Sequence, residues 1–580
     1  MKWKVGVDYP EWGDNEYYLN TMSSGYLMLD ETPKQGYQRI VNSAIKHLQG
    51  KWSNEEKEIL REEFFKMLWN GWLIPSTPVM VNCGTEKGLP ISCFGGVVDD
   101  TMYDIYRKNL ELAMLSKIGG GTSYDFSSVR CRGSLIKNGE LGTSEGVIPF
   151  IKCYDSTVIA SKQGKVRRGA TAIYLDIEHG DYKEFLDIRQ TKGAIERQCH
   201  AIHQGAIISD NFMNKVKSGD KDARELWLNT IKTRIKTGEP YMFFIDNANN
   251  QAPWSNKNIR INHSNLCSEI MLPNSPNDTF VCCLSSLNVY KFDEWYNYSG
   301  KYSIPFLATI FLDCIIEEFI EKGSDIKGIS DAISFSKKTR ALGLGALGYA
   351  SYLQSKMIPF ISIQANAINN KVFKFIREEA EKASKLMLKL NDNQEPEWCA
   401  GTGRWNLTLM AIAPNRSSSK LSGGVSQGVE PIAANIYTDN DAKGKYIKIN
   451  QDLKNLLIRK GYTDDQIDDI CNSINNPTNM GSIQALSIFT DHEKEVFKTF
   501  KEINQLELVR QACHRQKYID QGQSINLAFS KDAPAKFINQ VHLEAWEGGL
   551  KSLYYFRSEA PIGGDSLVKD LYSECVMCEG

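Results

Sequence analysis

From Ser53 onward the chain alternates helix-patterned and strand-patterned segments, and no internal repeat, low-complexity linker or charge block divides them. That alternation limits the fold more than any other feature, because it is the pattern of an α/β domain. Ser53 with Glu56 predicts a capping box, and Ile59, Leu60, Phe64, Met67 and Leu68 recur at helical spacing until Asn70-Gly71 ends the helix. Ser76 to Met80 and Pro90 to Phe94 read as strands or strand ends, Thr279 to Val289 and Trp405 to Ala413 as strands, and Val372 to Leu390 as a long helix. Gly119-Gly120-Gly121 permits a turn or a close backbone approach. One large catalytic domain over residues 76–560 is expected, with a short helical region (1–75) before it and a flexible tail (561–580) after it. Residues 1–50 are aromatic and polar with weak periodicity, and no role is assigned to them.

Bulk properties exclude several classes of function. The formal net charge is −2, so no basic field for nucleic acid exists. The N-terminus has no apolar signal region, and the apolar run Ile304 to Phe319 is broken by Asp313, Glu317 and Glu318, so no membrane association is expected. Fourteen cysteines, irregularly spaced over 580 residues, fit a reducing cytoplasm where thiols are buried or used. The question is which are used.

Asn265-Leu266-Cys267-Ser268-Glu269 places a thiol between an amide and a carboxylate. Read as extended chain, its alternate side chains put Asn265, Cys267 and Glu269 on one face at about 7 Å per residue pair, the width of a sugar ring. Glu269 can then serve as base and Asn265 as orienter. In isolation such a pentapeptide is more often a buried cysteine beside polar groups. Cys93 and Cys282 lie in strand-like context, Tyr554-Tyr555 is either packing or a redox relay, and Pro414 to Ser419 offers hydroxyls, N–H groups and Arg416 to a phosphate. Cys575 and Cys578 form a C-x-x-C near the end, read as a mobile dithiol in preference to half of a zinc site. Gly343 to Gly348 matches G-x-G-x-x-G, but SFSKKTRAL before it does not read as a buried strand and no acid stands about twenty residues on. These glycines are expected to permit helix packing or a turn.

Together, and in this order from about Ser76 to the C-terminus, these residues resemble the large, catalytic subunit of class I ribonucleotide reductase. The resemblance implies a ten-stranded α/β barrel of two five-stranded parallel halves, with a central finger loop carrying the reactive cysteine. It implies reduction of ribonucleoside diphosphates to 2′-deoxyribonucleoside diphosphates for DNA precursor synthesis. Cys267 would form a thiyl radical and take the 3′ hydrogen, Glu269 would deprotonate the 3′-hydroxyl, and Asn265 would hold the hydroxyls. Cys93 and Cys282, rather than Cys283, would reduce C2′ and end as a disulfide. Thr77, Ser92, Gly119 and Asn415, Arg416, Ser417, Ser418 and Ser419 look like sugar and diphosphate contacts. Asp100, Thr101, Met102 and Arg130 resemble the site for a dNTP or ATP specificity effector. Tyr554 and Tyr555 resemble the relay from a radical-generating small subunit, and Cys575 and Cys578 the tail that re-reduces the disulfide and is served by thioredoxin or glutaredoxin.

The same resemblance implies a homodimer, no cofactor bound by this chain, and a metal or tyrosyl radical cofactor in the partner. The 75 residues before Ser76 do not read as a nucleotide-binding cone, so overall on/off control by ATP and dATP through such a cone is not expected. An adenosylcobalamin-dependent (class II) reductase is the alternative, and Tyr554-Tyr555 speaks against it, because an enzyme that makes its radical in place needs no relay.

Overall fold

The computed structural model describes residues 3–161, 169–190, 194–256, 258–441, 444–530 and 532–558. Its N-terminal layer is helical: Glu16–Thr21, Pro33–Lys46 and Asn54–Trp69. Ser53 and Glu56 form the expected capping box, and Thr32 and Gln35 form a second one, with Pro33 in the first turn. The layer packs on the buried helix Ile304–Gly323, where Phe64 meets Phe311 edge-on at 5.5 Å.

Five parallel strands make the first half of the barrel: β2 (Cys93–Val97), β3 (Gly121–Asp125), β4 (Ala170–Asp176), β5 (Ile202–Ile208) and β6 (Tyr241–Phe244). Strands covered on both faces read as nearly continuous apolar runs, as β4 and β6 do. In the second half, β1 (Leu73–Pro75) pairs antiparallel with β8 (Cys283–Asn288), and β8 pairs parallel with β9 (Leu342–Leu347). Parallel bridges continue it from Leu344 to Met410 and from Ile412 to Gln523, and β12 (Leu527–Phe529) runs parallel to β14 (Phe556–Ser558). With β1 as an antiparallel addition, these runs form the expected α/β barrel of two parallel halves.

The two seams between the halves are where the chain changes sheet. At one, β7 (Phe280–Val281) lies antiparallel to β2, and the chain passes through Cys282 directly into β8. At the other, β13 (Ser552–Leu553) lies antiparallel to β6, and the chain passes through Tyr554-Tyr555 into β14. The single strand expected over Thr279 to Val289 is therefore two strands in two sheets, broken at the cysteine.

Three further expectations are corrected. Ser76 to Met80 is not strand: Ser76 precedes a helix, Thr77–Asn82, in which Pro78 occupies the first turn where its missing N–H costs nothing. Gly343 and Gly345 are not in a turn or helix contact but in buried β9, whereas Gly348, at φ +77°, lies just past the strand and opens the helix Tyr349–Ser355. A Cβ on Gly343 would stand 2.8 Å from Cys282 Sγ, and one on Gly345 2.9 Å from the Ala411 carbonyl oxygen. Glycine there lets a third backbone and a thiol approach the strand. Trp405 to Ala413 is extended only from Thr408, where Asp520 accepts hydrogen bonds from the Leu409 and Met410 N–H groups and pairs with Arg377 at 2.9 Å. No helix among the described residues is long and apolar enough to cross a membrane.

Candidate active site

The segment 260–279 carries Asn265 to Glu269 into the barrel as a tight loop. It is not the extended chain expected. Ser268 has φ +66° and donates its N–H to the Asn265 carbonyl at 3.2 Å, which closes a turn around Cys267. The turn is built by Asn265: its Oδ1 accepts from the N–H groups of Glu269 (2.9 Å) and Ile270 (3.0 Å), and its Nδ2 donates to Glu269 Oε2 (2.9 Å). Amide and carboxylate thus meet by hydrogen bonding across the turn, without strand alternation. From outside, Tyr174 donates to the Asn265 carbonyl (2.7 Å), Ser524 donates to the Cys267 carbonyl (2.5 Å) and to Glu269 Oε2 (3.1 Å), and Ser552 donates to the Ser268 carbonyl.

Glu269 is fully buried, and that burial pushes its carboxyl up to about 7 against the hydrogen bonds from Asn265, its own N–H and Ser524. A carboxylate poised there exchanges a proton near neutrality, as a general base requires.

Cys93 and Cys282 are cross-strand neighbours. Phe94 lies opposite Val281 in the β2–β7 register, and the Cys282 N–H reaches the Cys93 carbonyl at 3.4 Å. Asn265 Nδ2 donates to Cys93 Sγ at 3.1 Å and Gln521 Nε2 to Cys282 Sγ at 3.3 Å. Burial raises the Cys93 thiol well above its usual range, and the nearby charges of Glu269, Cys282 and Cys267 raise it further. Cys282 is raised by burial as well. Both are neutral thiols, suited to giving up hydrogen rather than to acting as thiolate nucleophiles. Cys283 stands toward Asp313 and Cys314, away from this group.

Cys267 belongs to one buried cluster with Tyr174, Tyr241, Tyr554 and Tyr555. The rings of Tyr554 and Tyr555 are 4.3 Å apart, and Tyr241 packs on both at 4.8 and 5.1 Å.

The remaining candidates occupy two further places. Thr77, whose Oγ1 bonds the Tyr26 hydroxyl, and Asn415 to Ser419 open two helices, and both openings are tied to β8: the Ser76 N–H to Ser285 Oγ, and Ser286 Oγ to Asn415 Oδ1. Asn415 has φ +59°, and Arg416–Leu421 is the helix it opens. Ser92 and Gly119 lie beside Cys93; the Ser92 carbonyl accepts from the Gly121 N–H, and Gly119 has φ +87°. Asp100, Thr101, Met102 and Arg130 gather at the opposite end of β2 and β3, where Asp100 pairs with Arg130 at 2.8 Å and Thr101 caps the helix Met102–Lys117. Cys575 and Cys578 lie outside the described residues.

The residues that hold the loop were not foreseen. Gln521 and Ser524 sit in Asp520-Gln521-Gly522-Gln523-Ser524, a polar run that reads as surface loop but is buried beneath the active site. Its continuation into the apolar strand-like Ile525 to Phe529 was the one available signal.

Residues 14–88 match the family model for the ribonucleotide reductase all-alpha domain, and residues 91–222, 220–398 and 396–556 match that for the ribonucleotide reductase barrel domain. The ribonucleoside-diphosphate reductase large subunit of Invertebrate iridescent virus 3 is 34% identical over 90% of this chain and 93% of its own length. The ribonucleoside-diphosphate reductase subunit alpha of Chlamydia muridarum is 28% identical over 91% of this chain and 57% of its own. The solved structure of the Actinobacillus ureae class Id ribonucleotide reductase alpha subunit superposes with a TM-score of 0.84 at 40% identity, covering 95% of this chain and 98% of that one.

Proposed function

Because this chain belongs to the ribonucleotide reductase large-subunit family, we propose that its barrel reduces ribonucleoside diphosphates to 2′-deoxyribonucleoside diphosphates by thiyl-radical chemistry, with the radical delivered from a small subunit. The observation that carries this reading is the convergence of Cys93, Cys267 and Cys282 on the Asn265–Glu269 pair in one buried site. The Cys267 thiyl takes the 3′ hydrogen of the ribose while Glu269 accepts the 3′-hydroxyl proton and Asn265 orients the hydroxyls. The 2′-hydroxyl leaves as water with a proton from one of the paired thiols. Cys93 and Cys282 supply in all two electrons and two protons, the second proton going to C2′, and become a disulfide; Glu269 returns its proton to the 3′ oxygen, and the 3′ hydrogen returns from Cys267 to regenerate the thiyl. The diphosphate binds at the two helix openings beside β8, Thr77–Asn82 and Arg416–Leu421, since helix N-termini favour an anion.

Tyr554 and Tyr555 carry the radical between the partner's metal or tyrosyl cofactor and Cys267. Cys575 and Cys578 re-reduce the Cys93–Cys282 disulfide by thiol exchange and are themselves served by thioredoxin or glutaredoxin in the cytoplasm. A dNTP or ATP effector binds at Asp100 to Met102 and Arg130. Homodimer formation is supported by an apolar stripe on the adjoining helix, where Tyr103, Tyr106 and Leu110 are 79%, 48% and 59% exposed. The adenosylcobalamin-dependent alternative is not favoured, since the solved relative is a class Id alpha subunit.

The test is conversion of CDP to dCDP by the purified chain with a dithiol reductant, comparing added radical-loaded small subunit with added adenosylcobalamin. Turnover only with the small subunit, abolished by Cys267→Ala, supports the proposal. Turnover with cobalamin alone, or with neither addition, overturns it.

A further inference from the structure

The relay has an outer end. Tyr554 and Tyr555 are both buried, and Tyr555 adjoins His203, whose side chain is 15% exposed and meets that of Arg189, 17% exposed. There His203, at the start of β5, brings Nδ1 to 3.4 Å from the Tyr555 hydroxyl, with the two rings edge to face at 6.3 Å. The same Nδ1 is 2.7 Å from Glu239 Oε1. Glu239 also receives the Gln204 N–H at 2.9 Å and Arg189 Nη1 at 3.2 Å. Burial works against ionisation of Glu239, but Arg189, His203 and the Gln204 N–H together hold its carboxyl below the usual range, so it is a carboxylate.

That charge settles the tautomer. Arg189 Nη1 also lies 3.3 Å from Nδ1, but the carboxylate oxygen at 2.7 Å is the nearer partner and a lone pair on Nδ1 cannot face it, so Nδ1 carries the proton and is a donor. Toward Tyr555 the same N–H donates and the phenolic oxygen accepts. A phenoxyl radical has lost its own O–H but keeps its oxygen lone pairs, so a donor fixed at this point serves the ring before and after oxidation. The His203 ring is itself immobilised, lying parallel to Tyr241 at 6.1 Å, and Tyr241 packs against both relay tyrosines. None of the proposed chemical steps uses Glu239, Arg189 or His203, yet a buried ion pair carries a desolvation cost that must be offset.

Resting on the relay reading above, we propose that His203, oriented by Glu239 and Arg189, is the positioning residue of the outer relay tyrosine. Its Nδ1–H is shared between the Glu239 carboxylate and the Tyr555 oxygen, and holds that oxygen beside Tyr554 whether Tyr555 is phenol or radical.

The experiment uses the complete enzyme with its radical-loaded small subunit, CDP and effector, and 3-aminotyrosine at position 555 to trap the radical. With His203 present, high-field EPR gives a gx lowered by a hydrogen bond, and pulsed spectra in D2O show one strongly coupled exchangeable deuteron. In His203→Phe and His203→Gln, neither of which has a donor at the Nδ1 position, gx rises and the coupling disappears. His203→Asn, whose amide reaches that position, retains it. With Tyr555 itself in place, turnover falls severalfold in His203→Phe, as loss of one neutral hydrogen bond predicts, and recovers in part with Asn. A trapped radical with gx and coupling unchanged in both the Phe and Gln variants overturns this inference and leaves the relay standing. No radical at position 555 with native His203 overturns the relay, and the inference with it.

Discussion

Ser524→Ala tests the assignment of Glu269 as the base. Ser524 Oγ donates to Glu269 Oε2 at 3.1 Å, one of the hydrogen bonds that oppose the effect of burial and leave the carboxyl at about 7. A buried hydrogen bond to a charged group contributes about 1.5 kcal/mol or more, and a pKa unit corresponds to about 1.36 kcal/mol, so its loss raises the carboxyl by about one unit. The base must be ionised to act, so activity rises with pH through this value, and the acid limb of kcat/KM moves from about pH 7 to about pH 8. The deficit is about tenfold below pH 6.5 and shrinks to nothing above about pH 9.5. Initial rates of dCDP formation with saturating small subunit measure it, and Ser524→Thr, which keeps the hydroxyl, restores the original limb. A uniform loss at every pH with the limb unmoved refutes the reasoning: Ser524 would then act only through the Cys267 carbonyl it also holds.

Three other outcomes are expected. The folded carboxyl of Glu269 at about 7 lies above its ordinary 4.5, so the stability it contributes is full below the lower value and lost as pH rises through the upper one. Glu269→Gln is therefore inactive but more stable by about 3 kcal/mol at pH 8 and no more stable at pH 4, as denaturant melts at the two values read out. Gly343→Ala puts a methyl 2.5 Å from Leu284 Cδ2 and 2.8 Å from Cys282 Sγ. It costs about 1–3 kcal/mol and lowers the disulfide formed in a single turnover without reductant, counted by thiol titration. Tyr106→Asp with Leu110→Asp sets charge into the apolar stripe of Met102–Lys117 and shifts sedimentation in the presence of effector from dimer to monomer.

The residues to which chemistry is proposed stand out in the sequence because each lies in a short distinctive context: Asn265 to Glu269, Cys93, Cys282, Tyr554-Tyr555. Their arrangement was less legible. Period-two alternation gave a plausible but incorrect geometry for Asn265 to Glu269, because the turn depends on Ser268 adopting a positive φ and on Asn265 bonding backbone N–H groups, and neither leaves a trace in hydrophobic pattern. The seam at Cys282 was invisible for a related reason: both strands around it are buried, so the apolar run continues through the change of sheet. The glycines of β9 were misassigned because the lysines before them belong to the helix Ser330–Thr339, not to the strand. The N-terminal helices left a readable sign in Thr32-Pro33-Lys34-Gln35, a capping box with proline in the first turn, which the weak periodicity around it obscured.

The seam at Tyr554-Tyr555 also bears on how the protein comes into being. Ser552, whose hydroxyl reaches the Ser268 carbonyl, lies 284 residues further along the chain, and β13 pairs with β6 across a comparable separation. Contacts so distant in sequence form late, after the local βα units of the first half have assembled. A chain still emerging from the ribosome can have β2 to β6 in place, yet lacks Gln521 and Ser524 beneath the cysteine loop and both tyrosines of the relay. The loop that bears Cys267 acquires these supports, and the proposed relay, only after residues 521–555 have been made. Under the proposed chemistry, order of synthesis keeps the Cys267 thiol idle until those segments have joined it.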